Sequence, residues 1–306
     1  MRNYLKIDQK GEDGEYIYDA NSLGDPAGKY AYPVKRCLCI IGSDHNSYNL
    51  VKTITGKYSD GLVKQNNAYI VSGPAPESAS NDERNPEYPE EQKAFYANVH
   101  RAHSGFRGIV NSYESYENIK RFLFGNIVAY VCLTEIKIPQ PETDDSYFYD
   151  FEFNASIKGT NTYLHRREQD PCENALRFSY SEIPNEIQLY TGFLNSKLRI
   201  DKEDQFSHFA VTLRINEFRV RKGLLWDTDY PSKPIFVENL EIGAGRPDKN
   251  NPYGRLKYRW RSEGENWIDS KYENGGFSIP LRKAATVTGN FMIKSDKWPN
   301  VNLSME

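Results

Sequence analysis

Two short segments of this 306-residue chain hold residue types suited to acid–base chemistry. One is Ser59-Asp60-Gly61-Leu62-Val63. The other is His100-Arg101-Ala102-His103-Ser104-Gly105, which runs on into Gly108-Ile109-Val110-Asn111-Ser112. A carboxylate hydrogen-bonded to an imidazole fixes the ring's tautomer and stabilises the imidazolium formed when the ring takes up a proton. Asp60 therefore reads as the orienting acid and His103, set among small residues and glycines, as the base. His100 is the alternate base; by itself it reads as a strand-end histidine bonded to backbone. An Asp-Gly pair by itself is an ordinary turn, and it gains chemical meaning only beside the histidine segment.

A nucleophile is the missing partner. The G-x-S-x-G elbow is absent from the whole sequence, as is an HGGG-like oxyanion segment. Gly42-Ser43-Asp44 closes a strand rather than opening a helix. Ser104 comes from the same loop as His103 and is poorly placed to face it.

The elements that must position these residues can be read around them. VKRCLCIIGSD (34–44) is a short apolar run ending in turn residues, which suits a strand buried on both faces, as in a parallel sheet. Residues 45–55 read as a short helix with Tyr48, Val51 and Ile54 on one stripe. Residues 58–71 read as a turn followed by a strand, 74–93 as an exposed loop, and 95–100 as a second strand. A helix follows, with Ser112 as its N-cap, Glu114 and Glu117 early, Lys120 and Arg121 late, and Gly125 as its stop. Tyr116, Ile119, Phe122 and Leu123 make its apolar stripe. Residues 1–33 are polar and turn-rich and read as loop or lid.

The order strand, Asp loop, strand, His loop, helix resembles the closing part of α/β-hydrolase lipases and esterases of bacteria. The resemblance rests on SDGLVKQNNAYI and VHRAHSGFRGIVNSYESYENIKRFLFG and covers residues 34–126, about a third of the chain. It implies a serine ester hydrolase whose triad runs Ser, Asp, His. It assigns Asp60 and His103 as acid and base, and places the serine upstream of residue 1. On that reading residues 34–44 and 95–100 are two strands of a larger parallel sheet. An edge stays open, and Leu38, Ile40, Ile41 and the helix stripe lack their cover.

Beyond Gly125 the periodicity changes. Tyr147, Tyr149, Phe151 and Phe153 alternate with polar positions, as do Phe209 to Ile215, Leu256 to Trp260, and the series Val287, Phe291, Ile293. Further strands are expected over 127–138, 187–191 and 235–242. This pattern predicts an antiparallel β-sandwich. The expected fold class is thus an α+β two-part chain: an incomplete α/β-hydrolase parallel-sheet segment over 1–126, followed by an antiparallel β-sandwich over 127–306. Trp226, Trp260, Trp267 and Trp298 lie in or near turns, where some are open to binding roles.

Composition narrows the partners. A net charge of −3 gives no basic field for nucleic acid. No apolar stretch reaches the length of a membrane span, and the first residues lack the apolar core of a signal peptide. The expectation is a soluble bacterial protein, cytoplasmic or exported by a non-classical route. The four cysteines, Cys37, Cys39, Cys132 and Cys172, are too sparse for a disulfide framework and read as buried side chains. His165, Asp170 and Cys172 have no zinc spacing. No cofactor motif is present.

Two functions from different classes follow. The first is the acid–base portion of a serine esterase or lipase acting on an ester or lipid substrate, inactive alone because its nucleophile is missing. The alternative is a non-catalytic β-sandwich that binds a partner, a glycan or a lipid surface and carries a hydrolase remnant.

Overall fold

The structure is a computed structural model. It describes residues 34–45, 58–71, 90–141, 143, 145–157, 162–195, 206–221, 228–229, 231–245, 248–264, 266–282 and 286–298. The expected 45–55 helix, most of the 74–93 loop, the 1–33 segment and Trp226 lie outside the described residues.

Within them the chain forms one α-helix and fifteen strands. The first part contains β1 (Leu38–Gly42), β2 (Phe95–Val99) and helix α1 (Tyr113–Phe124). Next come β3 (Ile127–Lys137), β4 (Ser146–Ile157), β5 (Tyr163–Arg167), β6 (Leu176–Ser179), β7 (Glu186–Leu194) and β8 (Phe206–Arg221). The rest are β9 (Thr228–Asp229), β10 (Lys233–Gly245), β11 (Arg255–Trp260), β12 (Ile268–Asp269), β13 (Lys271–Glu273), β14 (Gly276–Pro280) and β15 (Thr288–Lys297).

Alternation drives the larger part. Along β4, Tyr149, Phe151 and Phe153 are fully buried; along β8, Val211, Leu213 and Ile215 are buried; along β11, Leu256, Tyr258 and Trp260 are buried. Successive side chains of a strand point to opposite faces, so one such row makes one apolar face. These strands belong to an eight-stranded antiparallel sheet whose central path runs β12-β11-β10-β8-β4-β5, with β6 also on β4 and β9 also on β8. The second antiparallel sheet has the order β13-β14-β15-β3-β7. Its inward residues, including Leu133, Ile187, Leu189, Ile279, Phe291 and Ile293, join those of the first sheet in one apolar core.

The expected α+β class is overturned. The described residues are mostly β, and among their strands only β1 and β2 pair in parallel, with Leu38 opposite Phe95 and Gly42 opposite Val99. An α/β-hydrolase parallel sheet is not formed. Such a sheet needs further parallel neighbours and helices over both faces. Here the described stretches between β1 and β2 hold only 3-10 turns and isolated bridges, and α1 is the one α-helix among the described residues. The parallel pair instead leans on the antiparallel part. Phe95 of β2 packs with Val128 and Phe193, and Leu38, Phe122, Tyr130 and Trp298 close around them. Contacts therefore cross the expected boundary near residue 126. On the other face Val34, Cys39, Ile41 and Tyr96 form a second small cluster with Tyr69 and Ile70. Ile41 is consequently buried, against expectation, while Leu38 and Ile40 are half-buried.

Helix α1 is bounded as its sequence predicts. Ser112 accepts a hydrogen bond from the Ser115 N–H at 3.1 Å, and the chain leaves the helix at Gly125. Its orientation is unusual. The buried residues are Ser115, Glu117 and Asn118, whereas Tyr116, Ile119 and Leu123 are exposed. Asn118 holds the polar face down, its Nδ2 donating to the Leu164 carbonyl of β5 at 2.7 Å and to the Glu114 carbonyl at 2.9 Å. With Ile40, Ile109 and Val110, the outward apolar face borders a groove of about 400 Å³. No described helix is long and apolar enough to cross a membrane.

Candidate functional site

The Asp and His segments meet at the C-terminal end of the parallel pair. The Asp loop is folded by its own side chain. Asp60 Oδ1 accepts from the backbone N–H groups of Leu62 at 3.0 Å and Val63 at 2.8 Å, and the Asp60 N–H donates to the Val63 carbonyl. Aspartates commonly close turns in this way. Gly61 takes a φ of 100°, which a side chain would resist. The strand expected after this turn does not form: residues 65–68 make a 3-10 turn instead.

The His loop is equally constrained. Ala102 is completely buried and bridges to Gly108, and its N–H donates to the Arg107 carbonyl at 3.1 Å. Gly105, with φ 83°, turns the chain between them. Arg101 grips Glu114 of α1 through Nε at 3.1 Å and a second nitrogen at 2.7 Å, tying the loop to the helix.

Asp60 and His103 are then joined twice. The His103 N–H donates to the Asp60 carbonyl at 3.0 Å, and His103 Nδ1 lies 2.9 Å from Asp60 Oδ2. The Asp60 side chain is 6 % exposed and that of His103 is 43 % exposed. A buried carboxylate with three hydrogen-bond donors around it is well compensated for its loss of water. Its contact at Nδ1 selects the tautomer in which Nδ1 carries the proton, so Nε2 keeps the lone pair. That geometry suits a proton acceptor presented to solvent.

His100 goes elsewhere. Its Nδ1 lies 3.3 Å from Ser43 Oγ, and burial pushes its imidazole below the ordinary range, keeping the ring neutral near neutral pH. Ser43 and Ser59, close to the dyad in the fold, are both buried and closed to a substrate arriving from solvent. Ser104 is exposed but follows His103 directly in the chain. The thiols offer no substitute: burial pushes Cys132 and Cys172 up to about 12, and Cys37 and Cys39 are raised as well. A thiol so raised stays protonated and is a weak nucleophile at neutral pH.

Sequence reasoning missed Gly42. Its Cα faces the point where the two loops meet, and a Cβ built there would lie 2.5 Å from the Arg101 carbonyl, 2.8 Å from Asp60 Cβ and 2.9 Å from Ile109 Cδ1. The only available signal was a glycine ending an apolar run, which also reads as a plain strand stop. Among the described residues no group of three or more His, Cys, Asp or Glu could hold a metal ion. No protein-family model, no curated protein and no solved structure matches this chain.

Proposed function

We propose that Asp60 and His103 are the acid–base pair of a serine hydrolase acting on carboxylic esters, with the nucleophile supplied from outside this chain. The observation that carries this reading is the 2.9 Å bond between a buried carboxylate and an exposed imidazole whose second nitrogen is left as base. The resemblance of the two segments to lipases and esterases supports it. In the proposed reaction Nε2 of His103 takes the proton of a serine hydroxyl as its oxygen attacks the ester carbonyl. The imidazolium, steadied by Asp60, then gives that proton to the departing alkoxide and leaves an acyl-enzyme. Water attacks the acyl-enzyme, losing its proton to the same nitrogen, and the released serine recovers a proton as the acid departs.

The chain by itself is expected to hydrolyse p-nitrophenyl butyrate no faster than buffer, because the parts of a triad act as a unit. A polypeptide that also contains the coding sequence upstream of Met1 should hydrolyse it. Asp60→Asn and His103→Ala should each lower that rate by roughly 10³–10⁴-fold. Turnover by the chain alone, with a fluorophosphonate label on one of its own serines, would overturn the external nucleophile. Full activity of the longer protein after His103→Ala would overturn the dyad.

A further inference from the structure

A second recess, apart from the dyad, opens where the apolar core meets solvent at one end of the eight-stranded sheet. It lies between the residues leading into β4 and the turn after β6, and has a volume of about 450 Å³. That falls inside the roughly 300–1,000 Å³ range of small-molecule sites. Tyr147, outermost of the Tyr147-Tyr149-Phe151-Phe153 row, and Tyr180, 40 % exposed, both line it. The recess is also lined by the hydroxyls of Thr143, Ser146, Ser179 and Ser181 and by the carboxylate of Asp145. Thr143 Oγ1 lies 2.9 Å from the Tyr147 hydroxyl and donates to Asp145 Oδ2 at 3.1 Å. Arg219 of β8, directly opposite Tyr147 in the ladder, also donates to Asp145 Oδ2. Across the recess Ser179 Oγ donates to Glu182 at 2.6 Å and lies 3.4 Å from Ser181 Oγ.

We propose that this recess binds a short neutral carbohydrate. Each sugar hydroxyl is both donor and acceptor and wants both kinds of partner close together; Thr143, Ser179, Ser181 and Tyr147 provide hydroxyls and Asp145 a fixed acceptor. The C–H face of a pyranose rests on an aromatic ring because its positive edge meets the ring's negative face, and Tyr180 offers such a ring. Arg219 balances the charge of Asp145, the one carboxylate that lines the recess, so the lining itself carries no net charge to select a cation. Asp145 is already held by Arg219 and Thr143, and Ser179 by Glu182, which lowers the ordering cost of binding at these groups.

Calorimetric titration of the full chain with maltohexaose, cellohexaose, xylohexaose and chitohexaose tests the proposal. At least one should bind saturably. Tyr180→Ala and Asp145→Asn should each weaken that binding about tenfold or more, while Tyr180→Phe, which keeps the ring, should weaken it less than Tyr180→Ala does. Ser181→Trp, a change at an exposed position that fills the recess without touching the core, should abolish binding with the melting temperature preserved. The proposal is overturned if none of the four sugars binds, if binding survives Ser181→Trp in the folded protein, or if tetramethylammonium binds there and the sugars do not. None of these outcomes depends on the dyad, so the hydrolase reading stands or falls separately.

Discussion

The paired antiparallel sheets and the α1 region relate hydrophobicity to burial in opposite ways. In β4 and β8 the apolar rows point inward and disappear from solvent. In α1 three of the four stripe residues, Tyr116, Ile119 and Leu123, point outward and only Phe122 packs inward, on Phe95 and Phe193, while Ser115, Glu117 and Asn118 lie against the fold. The sheets close their core with rows of apolar residues, whereas the helix is held by one apolar residue, Phe122, and by polar anchors: Asn118 on Leu164, the Ser112 cap, and the Arg101–Glu114 pair. Burial follows the available partners, and a stripe of apolar residues marks only the face that could be covered.

The hardest way to break this contrast is in the sheets. Phe151→Ala removes a fully buried ring from the common core and should cost about 3–5 kcal/mol in urea unfolding. A loss below about 1 kcal/mol would show that the core is not closed as described.

A pH titration sharpens the comparison from within the same core. His165 is fully buried among Phe153, Tyr190 and Tyr96, and burial, helped by the Arg167 cation, holds its imidazole well below the ordinary range. The unfolded chain takes up this proton near pH 6.5 and the folded chain refuses it. The stability is therefore fully present above about pH 6.5 and lost progressively as pH falls below it. His100 shifts in the same direction and adds to the slope. Urea midpoints at pH 7.5 and 5.5 should show the decline, and His165→Phe should flatten it in part; an unchanged slope would remove His165 from the account.

The finest test sets two neighbours on α1 against each other. Asn118→Ala leaves the buried Leu164 carbonyl without that donor and should cost about 1–3 kcal/mol. Ile119→Ser, one residue on and exposed, should change stability by no more than about 0.5 kcal/mol. Hydrophobicity alone ranks the two the other way, so melting curves of the pair decide which rule governs this helix.

These contrasts also mark what the sequence could tell. Strands with one buried face were legible because alternation reports that face directly: Tyr149 to Phe153, Val211 to Ile215 and Leu256 to Trp260 all point to the core. The helix ends were legible because caps are local chemistry, as Ser112 shows. The proximity of Asp60 and His103 was legible from their segments, although chemistry at that pair is a proposal. The class of the first 126 residues was misread because a short apolar run such as 38–42 looks the same in a parallel sheet of any width. The strand expected after the Asp60 turn was misread as well: Gln65–Ala68 form a 3-10 turn, and of residues 69–71 beyond it only Val71 makes a bridge, to Lys93. Of the tryptophans read as lying in or near turns, Trp260 closes the alternating row of β11 and is buried, as that row predicts, while Trp298 packs on Phe95, Phe122 and Phe193.

Gly42 carries no side chain, yet it sets a tolerance for the Asp60–His103 contact. Arg101, Asp60 and Ile109 converge on the empty place where its Cβ would be, so the spacing of the dyad is gauged by the thickness of a bare backbone. Adding one methyl would act as a wedge, prising the acid loop from the histidine loop while leaving every atom of both partners chemically intact. Two residues can thus depend on a third that contributes nothing but its absence of bulk, and a chain that keeps Asp60 and His103 could still lose their contact through a single carbon elsewhere.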